Sequence, residues 1–173
     1  MDNMETTINK HNKKIINTNP PSTPNKSCNC RKKDLCPLNN NCLASSIIYN
    51  AKVTINEDTT EKNYIGLTEG TFKQRFTQHK QSFHNRKYAN STELSKYIWE
   101  LKENNKAYYI KWSIITAARP YNNMSKRCDL CLTEKLNIIQ ANSDTLLNKR
   151  SELISKCRHE NKFYLKNNRN LTN

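Results

Sequence analysis

The fold of this chain is decided by residues 64–79, which read Tyr64-Ile65-Gly66-Leu67-Thr68-Glu69-Gly70-Thr71-Phe72-Lys73-Gln74-Arg75-Phe76-Thr77-Gln78-His79. The stretch holds both glycines of the protein, and so scarce a residue is expected where the backbone needs it. An apolar strand is predicted to end at Gly66. Thr71 and Gln74 have the spacing of a capping box, which predicts a helix that begins near Phe72.

On this helix, Arg75 and His79 lie one turn apart, in or beside the inward stripe that Phe72, Phe76 and Phe83 form. A cation and an imidazole on an inward face are costly unless they have a partner or a task. The pair therefore predicts a functional site.

The flanking sequence predicts an α+β fold with a small three-stranded antiparallel sheet flanked by helices. Residues 46–55 are rich in β-branched side chains and form a predicted hairpin with residues 62–67. A helix over 91–103, opened by a capping box at Asn90, and a third strand over 108–115 follow.

Two more helices are predicted towards the C-terminus. The first opens at Cys128 and turns Leu132, Leu136 and Ile139 inward, with Glu134 on the flank of that stripe. The second spans about residues 151–163.

Length and charge narrow the class of function. The chain has 173 residues, enough for one domain with small appendages. Lys and Arg number 29 against 15 Asp and Glu, a formal charge of +14 that predicts a polyanionic partner, with nucleic acid first. A membrane partner is disfavoured, since no long apolar run is present. The polar N-terminus lacks a signal peptide, which predicts an intracellular, reducing location.

Four of the seven cysteines lie close together in sequence. In a reducing compartment, clustered cysteines favour a metal over disulfides. Cys28, Cys30, Cys36 and Cys42 could close a tetrahedral zinc site and organise a segment too short and polar to fold alone. The alternative is a loop of reduced, metal-free cysteines.

A second zinc site is predicted from Cys128 and Cys131, completed by Cys157 and His159. Zinc there would fix the helix that carries Glu134. The alternative is that the two helix cysteines are small buried hydrophobes.

The predicted organisation has four parts. Residues 1–27 form a disordered basic arm, 28–45 the cysteine-rich segment, 46–165 the main domain and 166–173 a tail. The basic side chains proposed for nucleic acid are Arg31, Lys32, Lys33, Lys73, Lys80, Arg86 and Lys87. The alternative for such a run is an ordinary solvated face.

The polar residues together suggest a phosphate-cleaving site. Phosphodiester hydrolysis needs an activated water, neutralisation of oxygen charge and a metal or acid at the leaving oxygen. The chain offers Tyr49 and Tyr64 on adjacent strands, Arg75 and His79 on a helix, and Glu134 as a hard oxygen ligand suited to Mg²⁺.

The order of these residues over about 46–150 resembles the GIY-YIG nuclease family. Tyr64-Ile65-Gly66 fits the second half of its motif, whereas Ile47-Ile48-Tyr49 keeps the tyrosine but lacks the leading glycine. The resemblance implies a three-stranded antiparallel sheet flanked by helices.

Residues 64–72, 90–95 and 147–153 look more specifically like the C-terminal endonuclease of Penelope-like retroelements, which also carry cysteine-rich metal motifs. This resemblance implies a nuclear, DNA-nicking module that supplies a primer to the reverse transcriptase of its parent element. It leaves oligomeric state open.

The resemblance also implies a mechanism. Glu134 would hold one Mg²⁺ or Mn²⁺ against the scissile phosphate, and Arg75 would clamp phosphate oxygens. Either Tyr49 or Tyr64 would act as general base or orient the water, with His79 or the metal-bound water as a proton relay.

Asn148 would position backbone or phosphate in that mechanism, while on its own it would be an N-cap of the last helix. Two alternatives remain for the whole chain. One is a non-catalytic zinc-containing nucleic-acid-binding module, and the other is a structure-selective DNA repair nuclease of the same family.

Overall fold

The computed structural model describes residues 27–55, 61–124 and 128–149. Its three strands are β1 (Ile47–Ile55), β2 (Glu61–Thr68) and β3 (Tyr108–Ala117). They form one antiparallel sheet in the order β2-β1-β3. The predicted three-stranded antiparallel sheet is therefore confirmed. β1 begins one residue later than predicted, and β2 and β3 are each two residues longer than predicted.

Three α-helices flank the sheet in the described part of the chain: α1 (Phe72–His84), α2 (Glu93–Glu103) and α3 (Asp129–Gln140). A 3₁₀ turn, Arg86–Tyr88, follows α1. The α+β class is thus confirmed. None of these helices combines the length and the apolar character that a membrane crossing needs.

Several predicted segments lie outside the described residues. They are the basic arm except Ser27, the helix over 151–163 with Cys157 and His159, and the tail over 166–173. The proposed boundaries between parts of the chain remain predictions.

Helix α1 begins as its sequence predicts. The backbone N–H of Gln74 donates to Thr71 Oγ1 at 3.3 Å, and the Thr71 N–H donates to Gln74 Oε1 at 3.0 Å. This reciprocal capping box satisfies donors that every helix start would otherwise leave unpaired.

Helix α2 has a different cap from the predicted Asn90. Thr92 has an extended backbone, and its Oγ1 accepts from the Ser95 N–H at 3.1 Å. The hydroxyl of Ser95 is fully buried and lies 2.7 Å from that of Ser82 on α1. Ser95, the residue that Thr92 caps, thus also joins α2 to α1. We attribute the choice of Thr92 over Asn90 to this packing.

The predicted inward face of α3 is wrong. Leu132, Leu136 and Ile139 are 56%, 50% and 44% exposed, whereas Leu130 and Ile138 are buried on the opposite face. The sequence prediction chose the wholly apolar stripe. The helix instead buries Leu130, Cys131 and Ile138, and Glu134, one turn from both Leu130 and Ile138, is partly buried.

The sheet has a core on each face. On β1, alternate side chains face the first core, where Tyr49 packs with Phe72, Ile98 and Trp112. The opposite side of the sheet, at Ile48 on β1, packs against α3. Cys28, Leu38 and Cys42 also belong to the first core. The cysteine segment therefore shares a core with the sheet.

Candidate active site and metal centre

The candidate active site is built around Tyr49, the third residue of β1, which is 0% exposed. Gly66 pairs directly opposite it on β2. A Cβ on Gly66 would stand 2.6 Å from Tyr49 Cζ and still closer to the hydroxyl oxygen. No glycine of the described chain has a positive φ, so Gly66 is required for space and not for its backbone angles.

Helix α1 places two polar side chains on the Tyr49 hydroxyl. Arg75 Nε donates to that oxygen at 3.0 Å, and His79 Nε2 lies 2.7 Å from it. Since arginine can only donate, the hydroxyl proton is left for His79, which favours the tautomer with an unprotonated Nε2. Arg75 and His79 therefore belong to one hydrogen-bonded cluster, as their one-turn spacing predicted.

Burial fixes the charge state of this cluster. His79 is 2% exposed, and burial followed by the nearby Arg75 charge lowers its pKa to about 3. Burial also raises the pKa of Tyr49, an effect that Arg75 only partly opposes. At neutral pH the pair is thus a neutral imidazole and a protonated phenol.

Tyr64 and Glu134 adjoin the same cluster. Tyr64 is hydrogen-bonded to Arg75, and both phenols help to raise the pKa of that guanidinium although burial opposes the rise. The Tyr64 ring meets the His79 ring edge-on at 5.8 Å between centroids. Burial raises the pKa of Tyr49 most, and charge repulsion from Glu134 adds to the rise, so the carboxylate interacts electrostatically with Tyr49.

Asn148 binds the backbone of the edge strand β2. Its Oδ1 accepts from the Ile65 N–H and its Nδ2 donates to the Ile65 carbonyl, both at 2.8 Å. Ile65 lies between the two motif residues Tyr64 and Gly66. Of the roles predicted for Asn148, backbone positioning is the one these contacts fit.

Two site residues escaped the sequence analysis. Trp112 on β3 lies 5.3 Å from His79 and 5.9 Å from Tyr49 between ring centroids, and so forms a wall of the cluster. Exposed and less exposed side chains alternate strictly along β3, and Trp112 is its one buried position. This alternation could have identified Trp112. Gln78 accepts from Arg75 Nη1 at 3.0 Å, which no sequence signal indicated.

The four N-terminal cysteines converge. The Sγ atoms of Cys28, Cys30, Cys36 and Cys42 all lie within 4.8 Å of one another. Hydrogen-bonding separations between them run from 3.3 to 3.9 Å. Four thiolates at about 2.3 Å from one zinc ion stand about 3.8 Å apart, whereas a disulfide needs about 2.05 Å. The residues therefore fit a tetrahedral metal such as zinc.

The thiols of this cluster differ in their tendency to ionise. Burial opposes ionisation of Cys36, but the backbone of Leu38 and the Cys42 thiol lower its pKa to about 7, whereas burial and the neighbouring thiols raise the pKa of Cys42. Asn39 and Asn40 adopt the left-handed conformation in the intervening loop, which asparagine tolerates better than most residues. These two asparagines therefore form part of the turn between Cys36 and Cys42.

The cysteine segment also caps the active-site helix. The N–H of Phe72 donates to the Ala44 carbonyl at 2.8 Å, and that of Lys73 to the Cys42 carbonyl at 3.0 Å. Cys42 therefore contributes both a thiol of the cysteine cluster and a helix cap. Any metal held by these thiols is coupled to the position of Arg75 and His79.

The second predicted cluster is only half described. Cys128 and Cys131 are buried, and Cys128 is the N-cap of α3, with its Sγ accepting from the Cys131 N–H at 3.4 Å. Among the described residues, no third ligand joins them. Their pairing with Cys157 and His159 stays a prediction.

The predicted nucleic-acid contacts occupy different settings. Arg31, Lys32 and Lys33 are exposed on the cysteine segment. Lys73 donates to Asn29 Oδ1 at 2.9 Å. Other basic side chains continue along and after α1: Lys80 and Lys87 are exposed, and Arg86 pairs with Glu103 at 3.1 Å.

No protein-family model, curated protein or solved structure matches this chain significantly. The resemblance to GIY-YIG nucleases therefore depends on the quoted residues and their arrangement.

Proposed function

We propose that this protein is a divalent-metal-dependent DNA endonuclease, of the GIY-YIG type and closest to the Penelope-like retroelement nucleases. The observation that carries the proposal is the hydrogen-bonded cluster of Tyr49, Arg75 and His79, with Tyr64 and Glu134 beside it. These are the residues whose order in the sequence suggested phosphodiester cleavage.

Arg75 is suited to bind the scissile phosphate. Its contacts with Tyr49, Tyr64 and Gln78 engage part of a guanidinium that has five N–H donors. The remaining donors can meet phosphate oxygens, and the fixed positive charge would stabilise the charge that develops there.

The phenols and His79 have separate tasks in this proposal. Tyr49 is completely buried and bound on both sides, so it holds Arg75 and does not meet water directly. Because its pKa is about 3, His79 is a poor proton acceptor and serves to orient Tyr49. Tyr64, at the edge of the cluster, is left to orient the attacking water.

Glu134 is the carboxylate that would hold Mg²⁺ or Mn²⁺. A single carboxylate together with substrate phosphates is a common donor set for Mg²⁺. Glu134 lies on α3 one turn from each of the buried residues Leu130 and Ile138. When bound, the ion would polarise the phosphate and lower the pKa of water.

Supercoiled plasmid incubated with Mg²⁺ or Mn²⁺ tests the proposal. Wild-type protein is expected to convert it to the nicked circle, and Arg75→Ala and Glu134→Gln to lower the rate by about 100-fold or more. The matched controls are Lys111→Ala on β3 and Glu100→Gln on α2, both exposed. They remove the same charges away from the site and should retain wild-type rates.

Two results would contradict an endonuclease. One is DNA binding by wild-type protein without nicking in either metal. The other is equal nicking by all variants, which indicates a contaminating nuclease. Sequencing across the nicks would then define the target preference.

A further inference from the structure

A groove of about 440 Å³ lies between the cysteine segment and helix α1. Its apolar wall includes Pro37, Leu38 and Phe76, and the cations around it are Lys73 and Lys80. His84 also lines it, as do Cys30 and Cys42 of the cysteine cluster, and no Asp or Glu is among its described lining residues. The groove is large enough for a small ligand, and its two lysines are complementary to an anion.

The combination of an aromatic wall and lysines is suited to a nucleotide. Lys80 Nζ lies over the Phe76 ring, 5.7 Å from its centroid, so a base reaches this face of Phe76 only when the exposed lysine side chain moves aside. Bases stack on aromatic side chains irrespective of sequence. A base in a duplex has its faces covered by its neighbours, so only an unstacked base can use such a wall.

The groove is connected to the candidate active site through Phe76, whose ring packs against Trp112, which also contacts His79. Arg75 and Phe76 are consecutive in α1, so their side chains leave the helix about 100° apart. A strand whose phosphate meets Arg75 would have to pass around α1 to bring a neighbouring nucleotide to Phe76. Lys73 keeps donors for a phosphate beyond its bond to Asn29.

We propose that this groove binds one unpaired nucleotide of the DNA, with its base on Phe76 and its phosphate between Lys73 and Lys80. The inference rests on the proposed action on DNA and adds a preference to it. Substrates with a single-stranded gap or overhang beside the cleaved bond are bound more tightly than continuous duplex.

Fluorescence anisotropy with labelled duplexes of equal length tests this inference. One duplex is continuous, one carries a short single-stranded overhang, and one carries the same overhang with an abasic site. Full-length wild type is expected to bind the overhang about tenfold more tightly than the other two. Equal affinity for the overhang with and without its base would overturn base binding.

Variants assign the preference to the groove. Phe76→Leu and Lys80→Glu should each abolish most of it, while Lys111→Glu, the same charge reversal on β3, should retain it. Phe76 also packs edge-on against Trp112 at 5.4 Å between centroids. Lys80→Glu, at an exposed position, therefore keeps the test valid if Phe76→Leu is unstable. Retention of the preference in Lys80→Glu would overturn the assignment.

Plasmid nicking measured in parallel separates the two proposals. Nicking without preference for the overhang overturns the groove and leaves the nuclease. Preference for the overhang without nicking supports the groove and contradicts the nuclease.

Discussion

At the scale of single residues, Gly66 is explained by the atoms that face it. The ring of Tyr49 occupies the space where any other residue would have a Cβ. Tyr49 has no room to retreat, because it is fully buried and packed against Phe72 and Trp112. Gly66 therefore leaves the space through which the Tyr49 side chain reaches Arg75 and His79.

Gly66→Ala is expected to destabilise the protein by about 1–3 kcal/mol, the usual cost of overpacking a core, and to reduce nicking. Urea unfolding measures the free energy. Gly70→Ala is the comparison variant: its new Cβ would meet the end of the flexible Gln74 side chain, at 2.9 Å, so it should cost no more than the Gln74 half of the capping box. If both variants unfold alike, the steric account of Gly66 is wrong.

His79 makes stability depend on pH. Its folded pKa of about 3 lies below the ordinary value of 6.5, so between these values the unfolded chain binds a proton that the folded protein does not. The free energy of unfolding therefore falls as pH drops through this window. Between pH 7 and pH 5 the loss is expected to be about 2 kcal/mol.

Urea unfolding at the two pH values checks this expectation by comparing variants. His79→Gln should lose the pH-dependent part that wild type shows. His84→Gln, which replaces an exposed histidine of the same helix, should keep it. An identical slope in wild type and His79→Gln would show that other groups cause the dependence.

At the scale of elements, local sequence signals predicted where a helix begins better than they predicted which face of a helix is buried. The capping box at Thr71 and Gln74 set the start of α1 because both partners are adjacent in sequence. The buried face of α3 was predicted wrongly because counting apolar residues favours a wholly apolar stripe over one that contains Glu134. Long-range contacts such as Trp112 against His79 had no local signal that named the partner.

The pairing of residues 145–148 with β2 is a contact of the same long-range kind. Asn63 N–H donates to the Thr145 carbonyl at 2.7 Å, and Leu147 N–H donates to the Asn63 carbonyl at 2.8 Å. The Asn148 side chain then hydrogen-bonds to both the N–H and the carbonyl of Ile65. The segment closes this edge of the sheet beside the motif tyrosine.

Asn148→Ala is expected to cost about 2 kcal/mol, because it leaves the Ile65 N–H and carbonyl without their partner. Amide exchange at Ile65 should accelerate correspondingly. Asn142→Ala provides the control, since Asn142 Oδ1 accepts only a local bond from the exposed Asp144 N–H at 3.0 Å, and should cost much less. Unchanged exchange at Ile65 in Asn148→Ala would contradict the role in holding β2.

At the scale of the whole molecule, the metal centre and the candidate active site are parts of one structure. Cys28 and Cys42 lie in the same core as Tyr49, and the Cys42 carbonyl caps α1. The net charge predicted a polyanionic partner, and the cysteine spacing separately predicted a metal. Their connection through a helix cap depends on the fold and could not be predicted from spacing alone.

This connection predicts that the metal stabilises α1. Cys36→Ser should lose one equivalent of zinc by metal analysis, whereas Cys36→His should retain it, because three cysteines and one histidine also form a tetrahedral zinc site. Loss of a ligand held at a thousand times its Kd costs about 4 kcal/mol of stability.

The effect on the helix distinguishes this coupling from a general loss of stability. In Cys36→Ser, amide exchange should accelerate first at Phe72 and Lys73, whose N–H groups bind the cysteine segment, and only later at the centre of β1. Because Arg75 follows within one turn, nicking should fall with the same zinc dependence and return in Cys36→His. Zinc loss that leaves exchange at Phe72 and Lys73 unchanged would show that the metal centre and the helix are independent.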